Sequence, residues 1–232
     1  RGKRSHADEV LDKTFKRKPR LTPLDKAFVY EIVMGVLRWN IRIDWIIKQI
    51  THLDIRRIEK RVLEALRMGL YQLLFMDKVP QYAAVHETVD LLEKKEEKGF
   101  VNASLRKFLR QKERIRYPDP IKDPFRFLSI YYSFPLWMVK KMYQAVGKSE
   151  ISLLLDALNE QAPLCLRVNT LKIGREEFVA LLKEKGYVVA ETIYSPDGVI
   201  FASREHIRDI PGYNEGYFSV QDESSQLISY ML

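Results

Sequence analysis

Apolar residues recur at helical spacing through the first half of this 232-residue chain, and strand-like alternation begins only after Pro163. A spacing of three and four residues places side chains on one face of a helix, whereas strict alternation places them on one face of a strand. This change of period predicts a mainly α fold, with an all-helical bundle first and a small α+β subdomain after it.

Caps and prolines divide the helical half into separate elements. Thr22 followed by Pro23 and an acid is a helix start, and Tyr117 to Pro124 is a proline-rich break. Helices are predicted over residues 5–16 (capped by Ser5), 22–39 and 43–50, and from Asp54 through residue 74, where apolar residues keep helical spacing from residue 62 onwards. Further helices are predicted over 81–98 and 100–110 (separated by Gly99), from Pro135 to 146 and over 149–160.

The second half alternates between strand and helix patterns. Strands are predicted over residues 164–169, 187–193 and 199–202, with an amphipathic helix over 175–185 that Gly186 ends. The domain boundaries that follow are 1–115 for the bundle, 116–161 for linker helices, 162–215 for the subdomain and 216–232 for a last segment.

The last segment, residues 216–232, runs from a short strand pattern into a helix that Asp222 or Ser224 can cap. Gln226 lies near the reciprocal capping position. An apolar stripe on this helix needs a partner surface, which predicts that a further domain follows. The stripe consists of Leu227, Ile228, Met231 and Leu232.

The charge balance favours a polyanionic partner, because 39 Lys and Arg face 31 Asp and Glu and leave a net charge of +8. The excess is concentrated at the front, where a run of basic residues meets only three acids. Such a run suits phosphates and equally fits a solvated basic helix. Its members are Arg1, Lys3, Arg4, Lys13, Lys16, Arg17, Lys18 and Arg20.

Several classes of protein are disfavoured. No apolar run reaches the roughly 18 residues of a membrane span and the start lacks signal-peptide features, so a cytoplasmic protein without a membrane partner is predicted. The single cysteine and four scattered histidines predict no metal site. The ten glycines never fall within three residues of one another, which excludes the usual nucleotide-binding loops.

Two reactive residue types also have a plainer explanation. His86 stands beside Glu87 on a predicted helix, where a lone histidine is more often a polar-face residue than a base. Cys165 lies between two leucines of an apolar strand, with no cation or helix start beside it to lower its pKa. The sequence therefore favours a buried structural thiol and predicts no catalytic residue.

Three segments carry a more specific signal. Residues 67–75 (RMGLYQLLF), 79–91 (VPQYAAVHETVDL) and 98–106 (KGFVNASLR) together resemble the NusB-like helical domain. Residues 163–172 (PLCLRVNTLK) and 216–227 (GYFSVQDESSQL) are similar to segments of the RsmB/Sun family of 16S rRNA cytosine-C5 methyltransferases. In this order they resemble the N-terminal region of that family along essentially the whole chain.

The resemblance implies a function for a longer protein. It implies an S-adenosylmethionine-dependent enzyme with a Rossmann-like catalytic domain, in which one cysteine attacks the cytosine and a second helps release the product. The glycine-rich cofactor loop and those cysteines have no counterpart in this sequence, and Cys165 matches neither cysteine. The chain is therefore interpreted as the RNA-recognition half, with no cofactor-binding residues and no activity alone, and its subdomain is expected to be ferredoxin-like or RRM-like.

The implied partners are small-subunit ribosomal RNA and a methyltransferase domain in cis. Arg167 and Asn169 share one face of a strand and are expected near the target base, although they could equally tie the strand to its own helix. The expected phosphate contacts are Arg1, Lys3, Arg4, Lys16, Arg17, Lys18, Arg38, Arg42, Arg106, Lys107 and Arg110.

Two alternatives remain open at this point. A non-enzymatic RNA-binding antitermination factor like NusB would explain the first 115 residues, but not the hundred or so that follow. A protein-docking module with an incidental basic face is the other alternative.

Overall fold

The computed structural model describes residues 6–202 and 207–231, and its backbone divides into two compact units. The first, Arg1–Asn159, is called the helical unit here, and the second, Glu160–Leu232, the sheet unit. The mainly helical architecture followed by a small sheet confirms the predicted fold class. No helix among the described residues has the length and apolar character required to cross a membrane.

The helical unit contains seven described α-helices and two short 3-10 turns. The helices are α1 Ala7–Arg17, α2 Pro23–Thr51, α3 Lys60–Phe75, α4 Gln81–Asp90, α5 Lys95–Gln111, α6 Pro124–Tyr131 and α7 Leu136–Asn159, and the 3-10 turns are Ile55–Arg57 and Lys112–Arg114.

Helix α2 begins where the sequence predicts. The Thr22 hydroxyl accepts the Asp25 N–H at 3.2 Å, and the Asp25 carboxylate accepts the Thr22 N–H at 2.9 Å, which forms a capping box. The predicted break between Trp39 and Ile43 is wrong. Neither proline nor glycine interrupts this stretch, and fully buried Ile43 continues the core-facing side into the second half of the helix.

Helix α3 lies against both α2 and α5 in the main core. Leu66 and Leu70 of α3 and Leu105 of α5 are completely buried. Where α3 crosses α2, the ring of Tyr71 lies directly over Gly35, so that a Cβ added to the glycine would be 1.9 Å from the Tyr71 Cζ. Only glycine permits this close approach.

Two predicted helix boundaries are corrected. Asp54 caps only the short 3-10 turn, and α3 starts after Glu59, whose carboxylate accepts the Val62 N–H at 3.1 Å. Gly99 does not separate two helices but lies inside α5, with open space around it. The charged residues before it form the first turn of α5, where Glu96 and Glu97 favour a helix N-terminus.

Helices α6 and α7 share a smaller core of their own. Helix α6 was not predicted, because the proline-rich break obscures it, yet Pro124 occupies its first turn and the Asp123 carboxylate accepts the Arg126 N–H at 3.4 Å. Helix α7 is interrupted at Gly147, where φ is +77°. The two helices predicted on either side of this position are therefore confirmed.

The sheet unit follows an antiparallel ferredoxin-like order. Strands β1 Leu164–Val168, β2 Val189–Glu191, β3 Gly198–Phe201 and β4 Phe218–Val220 pair in the order β2-β3-β1-β4. Phe178 and Leu182 of helix α8 Arg175–Glu184 lie in the same buried core as the β1 residues Leu166 and Val168. Among the described residues of the second crossover, between β3 and β4, the short 3-10 turn Ile207–Asp209 is the helical element, and helix α9 Glu223–Met231 follows β4.

Candidate nucleic-acid interface

The end of α1 presents exposed cations. Lys16, Arg17 and Lys18 are all exposed, and no ion pair within residues 6–202 and 207–231 involves them. Leu11 is the buried residue of α1, Lys16 and Arg17 lie in its last turn, and Lys18 is its C-cap residue. Arg1, Lys3 and Arg4 of the same basic run lie outside the described residues.

Arg42 lies in an aromatic enclosure rather than on an open surface. Its guanidinium carbon is 4.4 Å from the ring centre of Tyr131 and 5.5 to 5.8 Å from those of Trp39, Phe75 and Tyr117. Its Nε donates to the Tyr117 hydroxyl at 3.1 Å, and its Nη1 donates to the Tyr131 carbonyl at 3.3 Å. Arg42 therefore joins α2 to α6 and to the segment between α5 and α6.

Two other basic side chains of the helical unit also bind backbone carbonyls. Arg38 is exposed and donates from Nη1 to the Asn159 carbonyl at 3.1 Å, at the end of α7. Lys107 donates from Nζ to the Ile50 carbonyl at 2.7 Å, near the end of α2, and is 3.0 Å from the His52 ring nitrogen Nε2. Both cations stabilise helix ends, where the carbonyls lack partners within the helix.

Arg106 and Arg110 are exposed on α5. Arg106 donates from Nε to the Asn102 side chain at 3.0 Å and lines a groove of about 690 Å³ between α4 and α5. The α4 wall carries Asp90 and His86, whose Nδ1 is 3.5 Å from the Asp90 carboxylate. His86 is thus an exposed helix-surface residue, as the sequence favours, and the groove has charges of both signs.

In the sheet unit, Arg167 and Asn169 make contacts within their own fold. The Arg167 guanidinium is 3.9 Å from the Asp197 carboxylate, and Asp197 also accepts the Tyr230 hydroxyl of α9. Asn169 donates from Nδ2 to the Gly216 carbonyl at 3.0 Å and accepts the Leu171 N–H at 3.3 Å. Asp197 and Gly216 lie in loops of the sheet unit, whereas the structural alternative from the sequence was a contact with the helix that follows the strand.

A buried polar cluster attaches α9 to the rest of the sheet unit. Gln226 is completely buried; its Oε1 accepts the Ser195 hydroxyl at 2.6 Å, and its Nε2 donates to the Gln221 carbonyl at 2.9 Å. The Glu223 carboxylate accepts the Ser195 N–H at 3.0 Å. The predicted capping role of Gln226 is therefore wrong. Its side-chain amide bonds Ser195 in the loop before β3 and not the backbone N–H of the N-cap residue of α9.

Cys165 closes the same cluster. Its Sγ lies 3.5 Å from the Gln226 Nε2, and burial raises the pKa of the thiol. A catalytic cysteine needs the opposite shift, because the thiolate is the nucleophile. The structure agrees with a buried structural thiol.

Two features common in nucleotide and metal sites are absent from the described residues. The sheet is antiparallel throughout, so it lacks the parallel strands whose carboxyl ends form nucleotide sites. Within the described ranges, no group of three or more His, Cys, Asp or Glu could hold a metal ion.

Comparison with known families assigns both parts of the chain. Residues 2–110 match the NusB family, and residues 134–208 match the RsmF/B-like methyltransferase ferredoxin-like domain. A NusB domain is followed here by an RsmF/RsmB ferredoxin-like domain. The second match begins just before α7, so the RsmF/B-like region includes the kinked helix as well as most of the sheet unit.

Relatives match the chain along most of its length. The chain is 33% identical to the probable ribosomal RNA small subunit methyltransferase B of Synechocystis, across 98% of this chain and 51% of the relative. It is also 33% identical to the ribosomal RNA small subunit methyltransferase B of Pseudomonas putida, across 90% of this chain and 47% of the relative. The chain spans about half the length of these curated relatives.

A solved structure has the same fold. The crystal structure of PH0851 superposes with a TM-score of 0.62 at 21% identity, covering 95% of this chain and 49% of that one. At this identity the likeness concerns the fold alone.

Proposed function

We propose that this chain is the RNA-recognition region of an S-adenosylmethionine-dependent methyltransferase that modifies a cytosine at C5 in small-subunit (16S) ribosomal RNA. The observation that carries the proposal is the order of the two family matches in this chain, NusB first and RsmF/B-like second. The chain also aligns over 98% of its length with a relative named for small-subunit rRNA methylation. The domain boundaries predicted from the sequence remain part of the proposal.

The cations best placed to contact phosphates are those without structural partners. Among residues 6–202 and 207–231, this condition is met at the end of α1 by Lys16, Arg17 and the following Lys18, and in α5 by Arg110. Phosphate contacts supply most of the sequence-independent affinity of nucleic-acid-binding proteins. Arg106 can extend this surface, because Asn102 holds only one edge of its guanidinium. Arg1, Lys3 and Arg4 belong to the same proposed surface.

Five further residues stay in the proposal as secondary contacts, because each is already bonded within the fold. They are Arg38, Arg42, Lys107, Arg167 and Asn169.

The methyl donor and the chemistry belong, in this proposal, to a C-terminal methyltransferase domain in cis. The relatives are about twice as long as the chain, which leaves room for such a domain. We propose that it binds S-adenosylmethionine and supplies the catalytic cysteines, that the 232-residue chain alone transfers no methyl group, and that the protein works in the cytoplasm on ribosomal RNA.

A NusB-like antitermination factor without enzymatic activity is the second candidate. The NusB match over residues 2–110 favours it. The RsmF/B-like match over residues 134–208 favours the methyltransferase instead, because an antitermination factor has no need of that domain.

The test of RNA binding is a salt titration of the 232-residue chain on a small-subunit rRNA fragment. Charge reversal at Lys16, Arg17 and Lys18 removes up to three phosphate contacts, so the slope of log K against log salt should become shallower by about 2 to 3. The matched control reverses three exposed lysines elsewhere on the helical unit and should leave the slope unchanged. These control positions are Lys60, Lys78 and Lys95.

Equal effects of the two triple variants would remove α1 from the proposal, and failure of the wild-type chain to bind rRNA would refute it. The enzymatic part is tested with the longer protein. Methyl transfer to C5 of a cytosine, read by bisulfite sequencing, is expected from it and not from the 232-residue chain.

A further inference from the structure

The exposed face of the first half of α7 combines one tryptophan with two lysines. Trp137 is 61% exposed, and Lys140 and Lys141 follow it along the same side of the helix at three and four residues. Gln144 continues this side and is also exposed. These four residues are called the α7 stripe. None of them was assigned a role from the sequence.

Cation–π contacts within the helical unit hold the first part of the α7 stripe. The Lys141 Nζ lies 5.8 Å from the ring centre of Trp137, and the Lys140 Nζ lies 5.9 Å from that of Phe125 in α6. Phe125 in turn meets Tyr143 of α7 edge to face, with ring centres 5.0 Å apart. Two ammonium groups thus lie beside aromatic rings of the packed helices α6 and α7, and Trp137 remains largely open to solvent.

No acidic group competes for these lysines along the segment. Between Asp123 and Glu150 the sequence has no Asp or Glu, and no ion pair in the described part of the chain involves Lys140 or Lys141. A phosphate approaching the α7 stripe would therefore not have to displace a carboxylate.

We propose that the α7 stripe binds an unpaired stretch of RNA, with one base stacked on Trp137 and the flanking phosphates on Lys140 and Lys141. Proteins that bind single-stranded nucleic acids combine exposed aromatic rings, on which bases stack, with cations that contact the phosphates, and this binding does not depend on the base sequence. Duplex RNA does not suit this site, because its bases are already stacked and paired.

A protein partner fits this surface less well. The centres of protein–protein interfaces are depleted of lysine. Here Leu136, which is 43% exposed, precedes Trp137 on the helix, and Lys140 and Lys141 follow it. The inference rests on the proposed RNA-binding function but concerns a surface separate from the basic residues of α1.

The first experiment compares Trp137→Ala with Tyr194→Ala in the 232-residue chain. Tyr194 is a matched control, because it is an aromatic residue of the sheet unit that is 72% exposed. Trp137→Ala should weaken binding of a labelled single-stranded oligoribonucleotide about fivefold or more, the range of one lost stacking contact. Tyr194→Ala should not weaken it, and the matching duplex should bind both variants equally.

The second experiment separates charge from stacking. Lys140→Glu with Lys141→Glu should weaken single-strand binding and make its salt dependence shallower, whereas Lys78→Glu with Lys95→Glu, which changes the net charge equally, should not. Single-stranded RNA should also quench the tryptophan fluorescence of the wild type, and this quenching should disappear in Trp137→Ala.

Three results would overturn the inference. If the chain binds rRNA and α1 charge reversal weakens that binding, but Trp137→Ala does not, the α7 stripe is not an RNA site while the proposed function stands. If RNA affinity is unchanged but Trp137→Ala makes the longer protein more sensitive to protease, the stripe is instead a protein-docking surface. If the wild-type chain binds no rRNA, the proposed function fails together with this inference.

Discussion

Replacing Gly35 by alanine tests the packing of α2 against α3. The added Cβ would lie 1.9 Å from the Tyr71 Cζ and 2.2 Å from its hydroxyl oxygen. Carbon atoms in contact sit about 3.5 to 4 Å apart, so the ring has to retreat by about 1.5 Å or more. Tyr71 is buried, and its ring also lies 5.4 Å from that of Phe75, which limits where it can go.

The cost can be estimated from the contacts that this retreat disturbs. The Tyr71 hydroxyl donates to the Glu31 carboxylate at 2.6 Å, and loss of such a bond at the edge of the core costs about 1 kcal/mol. Overpacking a core adds about 1 to 3 kcal/mol. Alanine regains about 1 kcal/mol through its better helix propensity. We therefore expect Gly35→Ala to lower the free energy of unfolding by about 1 to 3 kcal/mol.

Urea unfolding followed by helical circular dichroism measures this difference, and Gly99→Ala is the matched control. Gly99 also lies inside a helix, but a Cβ there meets nothing within 4 Å. That variant should gain about 0.5 to 1 kcal/mol. If Gly35→Ala were as stable as Gly99→Ala, the close approach of Tyr71 would not constrain position 35.

Two further predictions concern buried polar groups. Burial, with the hydrogen bond to Glu31, raises the pKa of Tyr71, so the folded state holds this proton more tightly than the unfolded state. The stability that this shift contributes is present below about pH 10 and is lost as the pH rises above it. Urea unfolding at several alkaline pH values should therefore show a smaller decrease in the free energy of unfolding for Tyr71→Phe than for the wild type. Gln226→Leu leaves the Ser195 hydroxyl without its acceptor and should destabilise the sheet unit by about 1 to 3 kcal/mol. Gln144→Leu, on an exposed face, should not destabilise the protein. Thermal unfolding of both variants provides the comparison, and equal melting temperatures would contradict the role of the buried amide.

Local sequence signals predicted the elements whose causes are themselves local. The structure confirms the helix start predicted at Thr22, and it interrupts α7 at Gly147, between the helices predicted to end at residue 146 and to begin at residue 149. The predicted break after Trp39 fails because a weakened apolar pattern does not end a helix whose later turns are buried against α3. Helix α6 is short and gains its stability from packing onto α7, which a proline-rich sequence does not reveal.

The candidate site was less accessible to sequence reasoning, because free and engaged cations look alike in a sequence. Arg42 meets rings from three other parts of the helical unit, and its nearest ring, that of Tyr131, is 89 residues away along the chain. Gln226 is buried only because Ser195, 31 residues earlier, faces it. The sequence did contain a signal for the α7 stripe, because no Asp or Glu occurs between Asp123 and Glu150. The net charge of the whole chain does not reveal this local excess of positive charge.

The central position of β1 affects how this protein folds during synthesis. Strand β1 pairs with β3 on one edge and with β4 on the other, where Arg167 faces Ser219 about fifty residues later. In the helical unit, successive helices α3, α4 and α5 can pack as soon as they leave the ribosome. The sheet has to wait for residue 220, and until then β1 keeps an unpaired edge that can join another chain. A nascent chain stalled between β3 and β4 should therefore be the species most dependent on a chaperone.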